Sequence, residues 1–116
     1  MSDSNTTLNQ LREEVRKFVD ERDWSQFHTP KNLSMAIATE AAELMELFRW
    51  AKTEESQTVI DSPEDFQAVR EELADVLCFV LSFANALDID VSTALREKMV
   101  KNAQKYPAEK FRGRFR

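Results

Sequence analysis

Three observations predict an all-α chain. Glycine occurs once and proline three times in 116 residues, too few for the turns of a sheet protein. Leu, Ala, Glu, Lys and Arg dominate, and no stretch alternates β-branched with polar residues as a half-buried strand would. Apolar residues recur instead at three and four, the period of an amphipathic helix. The length fits one domain, with residues 8–107 as its helical core and 108–116 as a basic tail. The expected protomer is a four-helix bundle.

Leu8, Leu11, Val15, Phe18 and Val19 set a first helix from about Leu8 to Glu21. Trp24 to Thr29 reads as irregular. Pro30 suits a first helical turn, where its missing N–H costs nothing, so a second helix runs from there to about Trp50 or Lys52. The polar stretch Thr53 to Asp61 reads as a loop. Ser62-Pro63-Glu64-Asp65 then supplies a cap, a first-turn proline and N-terminal acids, opening a third helix to about Leu87. Asp90 caps a fourth, from Val91 to Lys105, and Pro107 stops it. From Lys110 to Arg116 there are four basic residues and no acid. That tail reads as solvated, with a phosphate contact as the alternative.

Composition removes several function classes. A net charge of −5 argues against a nucleic-acid binder, which needs a basic surface. No apolar stretch approaches the roughly 20 residues of a membrane span. Met1 to Thr7 is polar and carries no secretory signal. The single Cys78, in an apolar run, reads as a small core residue of a reducing, cytoplasmic compartment.

Two helices carry acids where apolar residues belong. Glu40 and Glu43 share a face with Ala36, Leu44 and Leu47; Glu72 and Asp75 share one with Val76, Phe79 and Phe83. Acids are almost never buried unless paired or metal-bound. Arg49 and Arg70 project away from these faces, so an ion-pair explanation lacks cations. Four inward carboxylates therefore call for a hard cation bound through oxygen. The one histidine, His28, lies outside any Glu-x-x-His spacing, and no thiolate or imidazole set suits zinc, copper or iron. Mg²⁺, with Mn²⁺ as the alternative, remains. Mg²⁺ usually works with substrate phosphates, so the site predicts phosphoryl chemistry.

Trp24 and Trp50 bracket the helix that carries Glu40 and Glu43. Plain packing is the ordinary use of tryptophan, but two near one metal-bearing helix can sandwich a nucleobase. Lys98, Lys101, Asn102 and Lys105 form a polar stripe on the fourth helix. It is either a solvent face or, if turned to the cleft, the source of phosphate donors in a chain with no Gly-rich phosphate loop. The second helix holds Met35, Ala38, Ala42 and Met45 on the face opposite its acids, so it is apolar on nearly every side. Such a helix must be buried all round. With Ala74 and Leu81 on the third helix, it predicts a homo-oligomer.

Together these residues resemble a known family. Glu40-x-x-Glu43, a spacer and Glu72-x-x-Asp75 on an all-α chain look like the MazG-like nucleoside triphosphate pyrophosphohydrolases, over about residues 8–107. The dCTP pyrophosphatase branch is the most similar: Arg22-Asp23-Trp24-x-x-Phe27-His28-x-Pro30-x-Asn32-Leu33, Phe48-x-Trp50, and Lys98-Met99-x-x-Asn102-x-x-Lys105-Tyr106-Pro107. The resemblance implies hydrolysis of the α–β phosphoanhydride of a (deoxy)nucleoside triphosphate to monophosphate and pyrophosphate, as house-cleaning of the nucleotide pool. It implies Mg²⁺ on Glu40, Glu43, Glu72 and Asp75, all four counted as catalytic, with Glu43 as the candidate general base. It implies substrate contacts from Trp24, His28, Trp50, Phe79, Lys98, Asn102 and Tyr106. It also implies a dimer or a dimer of dimers. Val15 and Phe79 replace a histidine and a tyrosine of vertebrate dCTP pyrophosphatases, which opens the base preference. Two alternatives stand beside this reading: a related all-α pyrophosphohydrolase for dUTP or phosphoribosyl-ATP, and a non-catalytic, antitoxin-like interaction module.

Overall fold

Each of the four long helices begins where a side chain accepts from an orphan N–H. In the computed structural model, which describes residues 1–114, the first helix is α1 (Leu8–Glu21). Thr7 accepts from the Gln10 N–H, and the Gln10 side chain accepts from the Thr7 N–H, a reciprocal capping box. Thr29 caps α2 (Pro30–Glu46) by accepting from Asn32, with Pro30 in the first turn. Ser62 caps α3 (Pro63–Leu87), whose first-turn acids Glu64 and Asp65 favour the positive end of the helix dipole. Asp90 accepts from both the N–H and the hydroxyl of Thr93 to start α4 (Val91–Lys105). These hydrogen bonds hold the Asp90 carboxyl below its usual range.

Three boundaries differ from expectation. α2 stops at Glu46, short of Trp50. Beyond it the backbone tightens to three-residue hydrogen bonds, Leu47 to Leu44, Phe48 to Met45 and Ala51 to Phe48, as helix ends often do. Thr53–Asp61, expected as a loop, is a 3-10 helix. Its own hydroxyls support it: Ser56 donates to the Thr53 carbonyl and Thr58 to that of Glu55. Ala108–Phe111 in the basic tail forms a short helix, α5, with Tyr106 edge-on to Phe111 at 5.2 Å. The end of that tail, residues 115–116, lies outside the described residues.

α2 lies along α3, and α1 packs on the other part of α3. Asn85 fastens α1 to α3. Its side chain accepts from Arg12 and Arg16 and donates to the Arg12 carbonyl, while Arg12 also donates to the Ile89 carbonyl beyond the helix end. α4 leaves α3 at a bend of 102° and adds little packing to the other helices.

The resulting core is small. Among the described residues, Val19, Leu33, Leu81 and Ala84 are the buried apolar side chains. Leu81, expected at an intersubunit face, is instead inside the protomer at 2% exposure. Leu47, expected among the inward residues, is exposed because α2 has ended before it. The opposite face of α2 is open, with Met35 and Met45 at 51% and 59% exposure. Leu73 and Leu77 on α3, and Leu95 and Met99 on α4, are exposed too. The protomer presents 9470 Å² of accessible surface, against about 6,500 Å² for a compact monomer of this size. Its radius of gyration, 17.1 Å, also exceeds the roughly 13 Å of a compact domain of this length. No single helix among the described residues is long and apolar enough to cross a membrane.

Leu33, at 1% exposure, joins α2 to this core. Leu33→Ala is expected to destabilise the protein by about 2–5 kcal/mol in chemical denaturation, the range for a buried leucine truncation. A loss below about 1 kcal/mol would show that the contacts of α1, α2 and α3 are not the stabilising core.

Candidate metal centre

The site forms because α2 and α3 lie side by side with their acids at the same level. One carboxylate oxygen from each of Glu40, Glu43 and Glu72 falls within 4.8 Å of the others. Glu40 and Glu72 are half-buried, and Glu43 is exposed. The Oε2 atoms of Glu40 and Glu72 are buried without a hydrogen-bond partner. Asp75 lies outside the three-way cluster but close enough for its charge to act on Glu40 and Glu72.

The electrostatics follow from this crowding. A hydrogen bond with Glu43, which requires a carboxyl to retain its proton, raises Glu40 to about 7; burial and the charges of Glu43, Asp75 and Glu72 add to it. Burial foremost, and then the Glu43 charge, raises Glu72. Among the described residues, no Lys or Arg forms an ion pair with any of the four acids. Arg49 pairs with Glu46 and Arg70 bonds to Gln67, both on the surface. The donor set therefore fits a cation on two counts: all its atoms are hard oxygens, and two are buried and unpartnered.

The other expected site residues are distributed unevenly. His28 and Phe79 come together, with ring centroids 6.4 Å apart. Phe79 is one turn beyond Asp75 on α3, so this pair extends the acid cluster along the helix. Trp24 packs edge-on to Phe18 at 5.7 Å. Trp50, at 82% exposure, carries the Arg49 guanidinium over its ring. No aromatic contact joins the two tryptophans among the described residues. Lys98 is exposed, Asn102 is half-buried, and Tyr106 packs on Phe111. The 102° bend turns their helix out of the α1–α2–α3 layer, and no hydrogen bond or ion pair links them to the acids among the described residues.

A second constellation escapes the carboxylate pattern. A cavity of about 290 Å³ opens between α1, the 3-10 turn Ser25–Phe27 and α3. Arg16, Asp20, Ser25, His28, Ser82 and Asn85 are its polar lining. The signal was present in the sequence: Ser82 and Asn85 sit three apart in the apolar run of α3, a neutral version of the acid anomaly.

The acid cluster gives metal-free protein a pH signature. Glu40 titrates near 4.5 when unfolded and near 7 when folded. Between these values the folded state binds the extra proton, so stability falls as pH rises through that window. Thermal unfolding in a chelator should show Tm declining from pH 4.5 to 7. Glu40→Gln should flatten that slope; an equal slope in the variant would contradict the assignment.

Comparison with known proteins agrees with this geometry. The MazG-like family pattern matches residues 35–114, which include all four acids. A protein of Bos taurus named dCTP pyrophosphatase 1 is 39% identical over 110 residues, covering 95% of this chain and 65% of its own length. The Homo sapiens protein of that name is 40% identical over 102 residues, 88% of this chain and 60% of its own. The chain thus spans somewhat less than two thirds of the length of these relatives. A crystal structure of a pyrophosphatase from Archaeoglobus fulgidus superposes with a TM-score of 0.81 at 36% identity, over 92% of this chain and 98% of that one. The all-α fold, the paired acids and these matches place the chain in the MazG-like family.

Proposed function

We propose that this chain is a divalent-cation-dependent pyrophosphohydrolase. It cleaves the α–β phosphoanhydride of a deoxynucleoside triphosphate, dCTP or a close relative, to monophosphate and pyrophosphate. The observation that carries this reading is the convergence of Glu40, Glu43 and Glu72, with two buried, unpartnered oxygens and, among the described residues, no ion pair to a Lys or Arg. Relatives named dCTP pyrophosphatase 1 and a structural neighbour named a pyrophosphatase support the bond that is cut.

Glu40, Glu43, Glu72 and Asp75 would hold the ion, and Mg²⁺ suits an all-oxygen set that also meets phosphates, with Mn²⁺ as the alternative. When bound, the ion supplies positive charge and Lewis acidity against the phosphates. Glu43 is the most exposed of the three clustered acids, so it is assigned to accept the proton of the attacking water. The water oxygen bonds to the α-phosphorus, the bridging α–β bond breaks, and pyrophosphate leaves. His28 and Phe79 wall the next turn of the cleft. Trp24 and Trp50 serve the base by stacking; Lys98, Asn102 and Tyr106 serve the phosphates and sugar.

The protomer is incomplete for this work. Its excess surface, its exposed Met35, Met45, Leu73 and Leu77, and a projecting α4 support a homodimer or a dimer of dimers. A second copy would cover the open face of α2 and α3 and bring the α4 lysines toward the acids. The free Cys78 and the acidic balance support a cytoplasmic role in cleansing the nucleotide pool, without nucleic-acid or membrane partners.

A Mg²⁺-dependent assay across deoxynucleoside triphosphates, resolving pyrophosphate from orthophosphate, tests the reaction. Pyrophosphate plus monophosphate is expected; orthophosphate alone contradicts the scissile bond. Glu43→Ala should cut kcat by about 10²–10⁴-fold, the range for losing a general base, while keeping the fold, since it removes one of several repelling charges. Wild-type kcat in that variant would overturn the role of Glu43. In the same assay Trp50→Ala should raise KM more than it lowers kcat; a pure kcat loss would contradict stacking. Sedimentation velocity should show a species larger than one protomer, and a monomer would remove the shared-site arrangement.

A further inference from the structure

The basic tail is held in place where it leaves α4. Tyr106 caps that helix, its N–H donating to the Asn102 carbonyl at 2.8 Å. The Tyr106 backbone has already left the helix, with φ −122° and ψ 68°. Helical geometry therefore no longer dictates where its ring points. The side chain is 46% exposed, and no hydrogen bond engages its hydroxyl among the described residues. An exposed side chain of this kind changes rotamer freely unless something fixes it.

Phe111 is placed to fix it. Pro107 stops α4, and the single turn of α5 brings the chain back, the Phe111 N–H donating to the Pro107 carbonyl at 3.1 Å. The Phe111 ring then meets the Tyr106 ring edge-on, centroids 5.2 Å apart at 82°, a favoured aromatic geometry. Phe111 is half-buried while the rest of α5 is exposed. Gly113 secures the return. Its φ of +77° suits glycine, and the next N–H, that of Arg114, donates to the Phe111 carbonyl at 3.0 Å. The Arg114 Nε donates to the Lys110 carbonyl, and its guanidinium lies 5.8 Å from the Phe111 ring centroid. Lys105 places its ammonium 5.4 Å from the Tyr106 centroid. Two rings in contact thus each carry a cation.

The charge of this turn names the ligand chemistry. Residues 105–114 hold four cations, Lys105, Lys110, Arg112 and Arg114, against one acid, Glu109. Among the described residues none of the four forms an ion pair. A hydroxyl set among unpaired cations suits phosphate oxygens, which accept from both. Lys98, Asn102 and Tyr106 recur every four residues, so Tyr106 ends the polar stripe of α4.

We infer that Phe111 is a positioning residue: it braces the Tyr106 ring so that the Tyr106 hydroxyl is aimed at the substrate's phosphates before they bind. This inference rests on the nucleotide hydrolysis proposed above, in which Tyr106 serves the phosphates and sugar. Phe111 itself touches no substrate. It acts by pre-organisation, sparing the entropy of fixing a free ring on binding. The brace is complete within one protomer, so it holds whichever copy's α4 reaches the acids.

A double-mutant cycle tests it. Phe111→Ala should raise KM for the triphosphate about three- to tenfold, the scale of one aromatic pair, with kcat and Tm retained. Phe111→Tyr, which keeps a ring, should restore the wild-type KM. Tyr106→Phe, which keeps the ring pair and loses the hydroxyl, should raise KM by itself. In that background Phe111→Ala should add nothing further, because the two residues act as one unit. Wild-type KM in Phe111→Ala or in Tyr106→Phe overturns the brace and leaves the reaction standing. Fully additive losses overturn it too, since Phe111 would then act without the Tyr106 hydroxyl. If wild type turns over no triphosphate, the reaction fails, and calorimetric titration with Mg²⁺ pyrophosphate judges the brace. Weaker binding in Phe111→Ala than in wild type then upholds it; equal binding, or none by wild type, overturns it.

Discussion

Mutual repulsion among acids on two facing helices is the constraint on which this structure depends. α2 and α3 form its principal contact, and at that contact the sequence places Glu40, Glu43 and Glu72, with Asp75 alongside. An apolar contact would be more stable, because carboxylates brought out of water without partners resist ionisation. Here Glu40 retains its proton to about pH 7, and two oxygens are left unbonded. Local rules broken at one place, and obeyed at nearly every helix cap, are the pattern of a functional site. A cation held between the helices would resolve the repulsion, and the same atoms would then serve binding and stability.

The rest of the protomer is organised around that contact. Asn85, through Arg12 and Arg16, sets α1 against α3. This fastening also fixes the wall of the cavity next to the acids. His28 and Phe79 meet where cavity and acids join. By contrast, Trp50 and the α4 residues Lys98 and Asn102 have no packed role toward the acids in one protomer. The small apolar core of Val19, Leu33, Leu81 and Ala84 among the described residues and the open face of α2 belong to the same picture. A chain that buries so little against itself leaves its apolar stripes open to solvent in the protomer.

Much of this was legible in the sequence, for identifiable reasons. The bounds of α1, α3 and α4 followed from strong periodicity and from Ser62-Pro63 and Asp90, whose caps act locally and need no tertiary knowledge. The end of α2 was not legible, because Leu47 to Trp50 continues the helical pattern while its backbone tightens. The 3-10 helix Thr53–Asp61 was hidden for the opposite reason: its support comes from Ser and Thr hydroxyls, which in a sequence look like loop. The acids were visible because charge on an apolar stripe is rare. Ser82 and Asn85 carry the same message more quietly, since a small polar residue in a helix passes as ordinary. Leu81 was read as part of an outer face because one projection cannot say which of two apolar sides turns into the protomer.

Everything above depends on whether these carboxylates form one cation site. Its most direct test is Mn²⁺ binding, with Mn²⁺ standing in for Mg²⁺, followed by electron paramagnetic resonance at pH above 7 in wild type and in Glu72→Gln. Wild type should bind saturably, and binding should weaken at least about tenfold when Glu72 loses its charge, the scale for a disrupted ligand set. Equal binding by the two proteins, or no saturable binding by wild type, would contradict it.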